Sequence, residues 1–186
     1  TFFIEVIDNN ILVTDYIGNF YVINYADLQS GKKTISPKII KSNFLPYKTL
    51  DTLIYKNKIF VSYSNKVGNC YNFNIDYAEY NLKELNFNNF YQSEECSIQN
   101  YYQPHGGRMQ FYSYNQKDGL LFTIGDNNDV PKSNDSIVGK ILFIDFKNKN
   151  EIIFSKGHRN TQGLFSDGKI IISTEHGPRG GDEINK

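Results

Sequence analysis

The chain has no tryptophan, one methionine and two cysteines, and alanine occurs only at Ala26 and Ala78. With the best helix former nearly missing, a helical bundle is excluded. The two cysteines, Cys70 and Cys96, cannot make a four-cysteine metal site. They allow one disulfide or two free thiols, and so sparse a pair identifies no redox compartment. No charge of one sign is in excess, since twenty Lys+Arg meet twenty Asp+Glu. No whole-molecule field therefore draws the chain to nucleic acid or to an anionic membrane surface. No apolar run reaches about 18 residues, and the opening Thr1-Phe2-Phe3-Ile4-Glu5 lacks the regions of a signal peptide. The expectation is a soluble chain without membrane insertion, any export signal being absent or already removed.

What the sequence has in quantity is Tyr and Phe, 14 of each, residues that fit pleated surfaces. Short β-type runs recur, each introduced by a polar turn: Asp8-Asn9-Asn10 before Ile11, Lys56-Asn57-Lys58 before Ile59, Lys117-Asp118-Gly119 before Leu120, and Ser166-Asp167-Gly168-Lys169 before Ile170. Upstream partner strands at residues 2–7, 50–55, 109–112 and 162–165 make each a hairpin. Anchored on Ile11, Ile59, Leu121 and Ile170, the repeats are 48, 62 and 49 residues apart. Third strands follow at residues 19–24 and 140–145. This period predicts an all-β fold, a β-propeller of four-stranded antiparallel blades, with an antiparallel sandwich of accidental spacing as the alternative. The longer second interval holds the Asn- and Tyr-rich stretch 71–100, room for an extra strand pair or a loop insertion. Residues 1–186 read as one domain. A fourth hairpin so near the last residue implies either a small four-bladed ring or a domain incomplete at its C-terminus, because an open ring leaves an uncovered blade face.

Polar residues cluster at strand ends in the second half: His105-Gly106-Gly107-Arg108, Gly125-Asp126, Gly157-His158-Arg159-Asn160-Thr161-Gln162-Gly163, and Glu175-His176-Gly177-Pro178-Arg179-Gly180-Gly181-Asp182-Glu183-Ile184-Asn185. Loops at one end of a propeller converge on its axis, so these groups can share a pocket. Together with Thr123-Ile124-Gly125-Asp126 and Gly139-Lys140-Ile141-Leu142, they resemble, in order, the motifs of the soluble aldose sugar dehydrogenases that depend on pyrroloquinoline quinone (PQQ), the glucose/sorbosone dehydrogenase family. The motif-bearing part is residues 105–185; the first hundred residues agree only in blade-like patterning.

The resemblance implies a six-bladed propeller, of which this chain is roughly half to two-thirds. It implies PQQ and Ca²⁺ at the mouth of the axis, an aldose sugar as substrate oxidised at its C1 hydroxyl to a lactone, an electron acceptor not readable from the sequence, and a periplasmic or secreted location. Residue by residue, it makes His105 the general base and Asp126 the group that orients it; Arg159, Asn160 and Gln162 contact the cofactor; the carbonyls of Gly177 and Pro178 bind Ca²⁺, with Asp182 and Glu183 as further oxygen donors. These residue types suit the chemistry. Imidazole titrates near neutrality, the Arg fork matches carboxylate and quinone oxygens, and Ca²⁺ accepts backbone carbonyls.

Two positions depart from the family pattern. His105 stands three residues before Arg108 where the family has four, with Pro104 in the expected slot, and Thr161 replaces a frequent Pro. A one-residue shift in extended backbone turns a side chain to the other face unless a bulge compensates. The family's later blades supply basic cofactor contacts, so this chain alone is expected to bind cofactor weakly and to be inactive as a fragment. Two other readings stay open: a non-catalytic propeller binding module, and a Ca²⁺-dependent lactonase-like propeller. By default Asp182-Glu183 is a solvated acidic pair, His158 and His176 are structural, and the tyrosines of 71–80 and 91–102 pack blades and bind no nucleic acid.

Overall fold

The structure, a computed structural model, describes residues 1–31, 33–97, 106–126, 134–177 and 180–186. Four sheets follow one another along the chain as the blades of a β-propeller. The first blade comprises β1 (Phe2–Ile7), β2 (Asn10–Asp15), β3 (Phe20–Asn24) and β4 (Lys38–Ser42). The second comprises β5 (Lys48–Tyr55), β6 (Lys58–Val67), β7 (Cys70–Glu79) and β9 (Asn88–Gln92). Between β7 and β9, the two-residue β8 (Glu84–Leu85) leaves its own blade and pairs in parallel with β4. The third blade is β10 (Gly106–Tyr114), β11 (Lys117–Ile124), β12 (Lys140–Asp145) and β13 (Glu151–Lys156). The fourth holds β14 (Thr161–Ser166), β15 (Ile171–Glu175) and β16 (Glu183–Asn185). A short helix, α1 (Tyr25–Gln29), is capped by the Asn24 side chain, which accepts from the Ala26 amide.

The repeat read from the sequence falls on equivalent strands: Ile11, Ile59 and Leu121 lie on the second strand of successive blades, and Ile170 immediately precedes the fourth such strand. Among the described residues the long second interval carries no inserted strand pair. It is spent on the ten-residue β6 and β7, the excursion of β8 and a disulfide-bonded extension. Within each blade the first strand is the innermost, and β1 packs beside β5, β5 beside β10, and β10 beside β14. The beginnings of these four strands therefore meet around one centre.

Packing separates a propeller from a sandwich here. A sandwich sheet has one solvated face, whereas a blade is buried on both. Because side chains alternate, neighbouring residues of one strand serve different cores. Ile59 and Val61 join Leu12, Phe20 and Ile40 between blades one and two, while Phe60 turns the other way to join Phe73, Phe90, Leu120, Phe122 and Leu142 between blades two and three. Leu121, Ile141 and Phe143 then face Leu164 and Ile171 of the fourth blade. Unbroken apolar runs such as Ile59-Phe60-Val61 and Leu120-Leu121-Phe122 follow from this two-sided burial. The outer face of β1 presents Phe2, Ile4 and Val6 to solvent, and the fourth blade presents Phe165 and Ile184.

Cys70 and Cys96 form a disulfide with Cα atoms 5.7 Å apart, resolving the alternative left open by the sequence. Beside it, the amides and carbonyls of Tyr71 and Ser97 exchange hydrogen bonds of 2.9 Å. The pair ties the tip of the β6–β7 hairpin to the segment leaving β9. Closing a loop of 26 residues restricts the unfolded chain by about 3.5 kcal/mol. Cys70→Ser/Cys96→Ser is accordingly expected to lower unfolding stability by about that amount, read from the urea midpoint; an unchanged midpoint contradicts the account.

Candidate active site at the mouth of the propeller axis

Where the innermost strands begin, a cavity of about 270 Å³ opens, lined by residues of all four blades: Phe3 from the first, Lys48 and Thr49 from the second, Arg108 from the third, and Asn160 and Gln162 from the entry to the fourth. His176 closes one side.

The third blade enters the centre through two glycines. Gly106 and Gly107 both hold positive φ, +80° and +93°, and β10 is bulged between Gly106 and Met109. A Cβ on Gly107 would lie 2.3 Å from the Leu50 Cβ, so only glycine lets the third blade approach the second this closely. The bulge re-aims the strand next to position 105, where the His spacing departs from the family pattern. His105 itself lies outside the described residues, as does Pro178.

Arg108 follows the bulge and crosses to the neighbouring blades. Its Nη1 donates to Asp51 Oδ1 at 3.0 Å, and the Met109 amide donates to Asp51 Oδ2 at 2.8 Å. Its guanidinium also lies 5.5 Å from the Phe3 ring centroid. The innermost strands of three blades are thereby joined by one side chain. Burial raises the Asp51 carboxyl from 3.8 to about 6, a rise that the Arg108 charge opposes. Glu5 on β1 is raised from 4.5 to about 7, first by burial and then by the Asp51 charge. Sequence reading passed over both acids. The available signal was a lone carboxylate inside each apolar strand, Phe3-Ile4-Glu5-Val6 and Leu50-Asp51-Thr52-Leu53.

Another carboxylate shapes the loop that enters the fourth blade. Glu175 is buried; its Oε1 is hydrogen-bonded to His158 Nδ1 and accepts from Asn185 Nδ2 at 3.0 Å, and its Oε2 accepts from the Arg159 amide at 2.8 Å. The far nitrogen of His158 meets Ser155 Oγ at 2.8 Å. With the loop so clamped, Asn160 Oδ1 accepts from the Gly106 amide at 3.1 Å and from Gln162 Nε2 at 2.6 Å. Arg159 Nη1 donates to the His176 carbonyl at 2.8 Å, and the His176 amide donates to the Asn160 carbonyl.

Of the residues singled out in the sequence, Asn160 and Gln162 line the cavity, and Arg159 reaches its rim through His176. Asp126 lies just beyond β11, its amide donating to the Arg159 carbonyl at 2.7 Å. Gly177 follows His176, its amide bonded to Asp182 Oδ1 at 3.0 Å. Glu183 lies exposed on β16 opposite Glu175. Among the described residues no group of three or more His, Cys, Asp or Glu side chains is placed to hold a metal ion. The residues do offer donors for a polyanionic ligand: Lys48, Arg108, Asn160 and Gln162 face one opening. The buried Thr49 hydroxyl and Arg108 Nε there have no hydrogen-bond partner among the described residues.

An all-β propeller with a donor-lined axial mouth defines the class of protein, and comparison with known proteins gives the family. The glucose/sorbosone dehydrogenase family model matches residues 3–186, and the chain belongs to that family of sugar dehydrogenases. The aldose sugar dehydrogenase YliI of Escherichia coli (strain K12) is 33% identical over 113 residues, a match covering 52% of this chain and 29% of that protein.

The two inner-strand acids make stability depend on pH with a definite sign. Their folded pKa values lie above the ordinary ones, so the folded chain binds the protons more tightly. Their contribution is complete at about pH 4 and is lost as pH rises through about 6 to 7. Glu5→Gln is expected to flatten the melting temperature between about pH 5 and 8 and to raise it above the parent's at the alkaline end; a parallel, unshifted profile contradicts this.

Proposed function

We propose that the protein is a PQQ-dependent aldose dehydrogenase, oxidising the C1 hydroxyl of an aldose to the lactone at the axial mouth. The observation that carries this reading is the convergence of Asn160, Gln162 and the Gly106 entry of β10 on one cavity in a chain of the sugar dehydrogenase family.

In this reading Arg159, Asn160 and Gln162 hold the cofactor's oxygens. Lys48 and Arg108, which line the same opening, offset its negative charge. The Gly177 and Pro178 carbonyls bind Ca²⁺, with Glu183 a further oxygen donor, a donor set suited to a hard cation. When bound, the quinone supplies the hydride acceptor and Ca²⁺ the Lewis acid that polarises it. His105 takes the proton of the C1 hydroxyl, and Asp126 orients the imidazole and favours its charged form. The Gly106–Gly107 bulge supports a base at position 105, because it supplies the local change in strand facing that the one-residue shift demands.

The exposed apolar faces of β1 and of the fourth blade support a larger ring in which further blades cover them and complete the cofactor's basic contacts. The Cys70–Cys96 disulfide supports a periplasmic or secreted location, where such bonds persist.

The test is a dye-linked assay on the full-length protein supplied with Ca²⁺, PQQ and a panel of aldoses. Dye reduction is expected, and His105→Ala should lower kcat by about 10²-fold or more while cofactor absorbance still titrates. Unaltered kcat in that variant removes His105 as the base. Bound cofactor without any aldose oxidation favours a binding module instead.

A further inference from the structure

At the opposite end of the blades, independent of the axial site, lies a second cavity of about 390 Å³ between blades two and three. The eight residues of β5 separate it from the mouth, roughly 25 Å of extended chain. Five aromatic rings line it: Tyr55, Phe60, Tyr77, Phe90 and Phe146. Phe146 organises the set, stacking on Tyr55 at 5.5 Å and on Phe60 at 5.6 Å, and meeting Phe90 edge-on at 5.8 Å. Tyr55 is itself stacked on Phe111 at 4.0 Å, which fixes the back wall.

Three ammonium groups stand on the rim, each held over a ring: Lys58 is 4.7 Å from the Tyr77 centroid, Lys56 is 5.0 Å from Tyr55, and Lys149 is 5.8 Å from Phe90. Among the described lining residues the one carboxylate, Glu79, opposes them through an exposed pair with Lys58 at 3.2 Å, a contact worth little in water. The lining therefore carries a positive surplus above an open apolar floor. The cavity's size falls within the range of small-ligand sites. Its rings offer faces and edges to a planar partner, and its cations select the sign of the substituent. We propose that this cavity binds a small planar aromatic anion, an aryl carboxylate with its ring against Phe146 and Tyr55 and its carboxylate among Lys56, Lys58 and Lys149.

The test compares 2-naphthoate with the neutral 2-naphthalenemethanol by saturation-transfer NMR and calorimetry on the intact chain. Naphthoate is expected to bind about tenfold more tightly than the alcohol and to weaken as NaCl is raised. The rim variant Lys58→Gln/Lys149→Gln should abolish the preference for the anion with only a small change in melting temperature, since a surface ion pair and cation–ring contacts at a solvated rim are each worth little. Phe146→Leu should weaken both probes. Equal affinity for the two probes, an anion preference that survives in the rim variant, or no saturation transfer at millimolar naphthoate would each overturn the proposal.

Discussion

Arg108 is held between Asp51 and the ring of Phe3, so a side chain of the third blade is answered by the second and the first. A propeller has little sequence-local reason to close its centre, because each blade forms its own hydrogen-bonded sheet and the blades are joined mainly by side chains, with few backbone bonds such as the β4–β8 pairing and the Asp126 amide on the Arg159 carbonyl. An ion pair largely withdrawn from water is costly to form and costlier to break: removing one partner of such a pair typically loses about 3–5 kcal/mol. Its geometry therefore constrains everything near it. Asp51 also accepts the Met109 amide, which sets where β10 resumes regular pairing after its bulge, and that in turn sets where Gly106 meets Asn160.

The same logic recurs at the entry to the fourth blade. The buried Glu175 carboxylate gathers His158, the Arg159 amide and Asn185, leaving the Arg159, Asn160 and Gln162 side chains directed toward the axis and its rim. Two carboxylates, one for the strand entry at Gly106 and one for the loop at Arg159, thus place the polar groups of the mouth. Neither belongs to the set proposed to touch cofactor or metal. Positioning here comes from groups beneath the site, where low solvent exposure makes each hydrogen bond expensive to lose.

At the far end of the blades the polar and apolar roles are reversed. The mouth is a ring of donors over a pinned ionic centre, while the opposite cavity is aromatic with charge confined to its rim. Both arise from the interblade seams, one where strands begin and the other where the β5–β6 and β12–β13 turns diverge. A seam that fails to fill completely is the natural place for a pocket in this architecture.

Much of the fold was legible along the chain, because apolar periodicity and turn chemistry are local. Ile11, Ile59 and Leu121 fall on equivalent strands because a blade repeats the same short hairpin, and near-unbroken runs such as Leu120-Leu121-Phe122 reflect burial on both sides. Asn160 and Gln162 were singled out by their motif, and both line the cavity at the mouth. The partnership of Arg108 with Asp51, separated by 57 residues, left no trace beyond a charge inside an apolar strand. The departure of β8 to the first blade and the aromatic cavity behind Phe146 were equally silent, and the Cys70–Cys96 disulfide stood only as one of two alternatives. Sequence by itself determined which segments become strands and how often they recur, since those depend on alternation and turn residues within a few positions. Only the tertiary structure decided which charges meet at the centre and where the seams stay open, because burial and Coulomb attraction act through space between blades rather than along the chain.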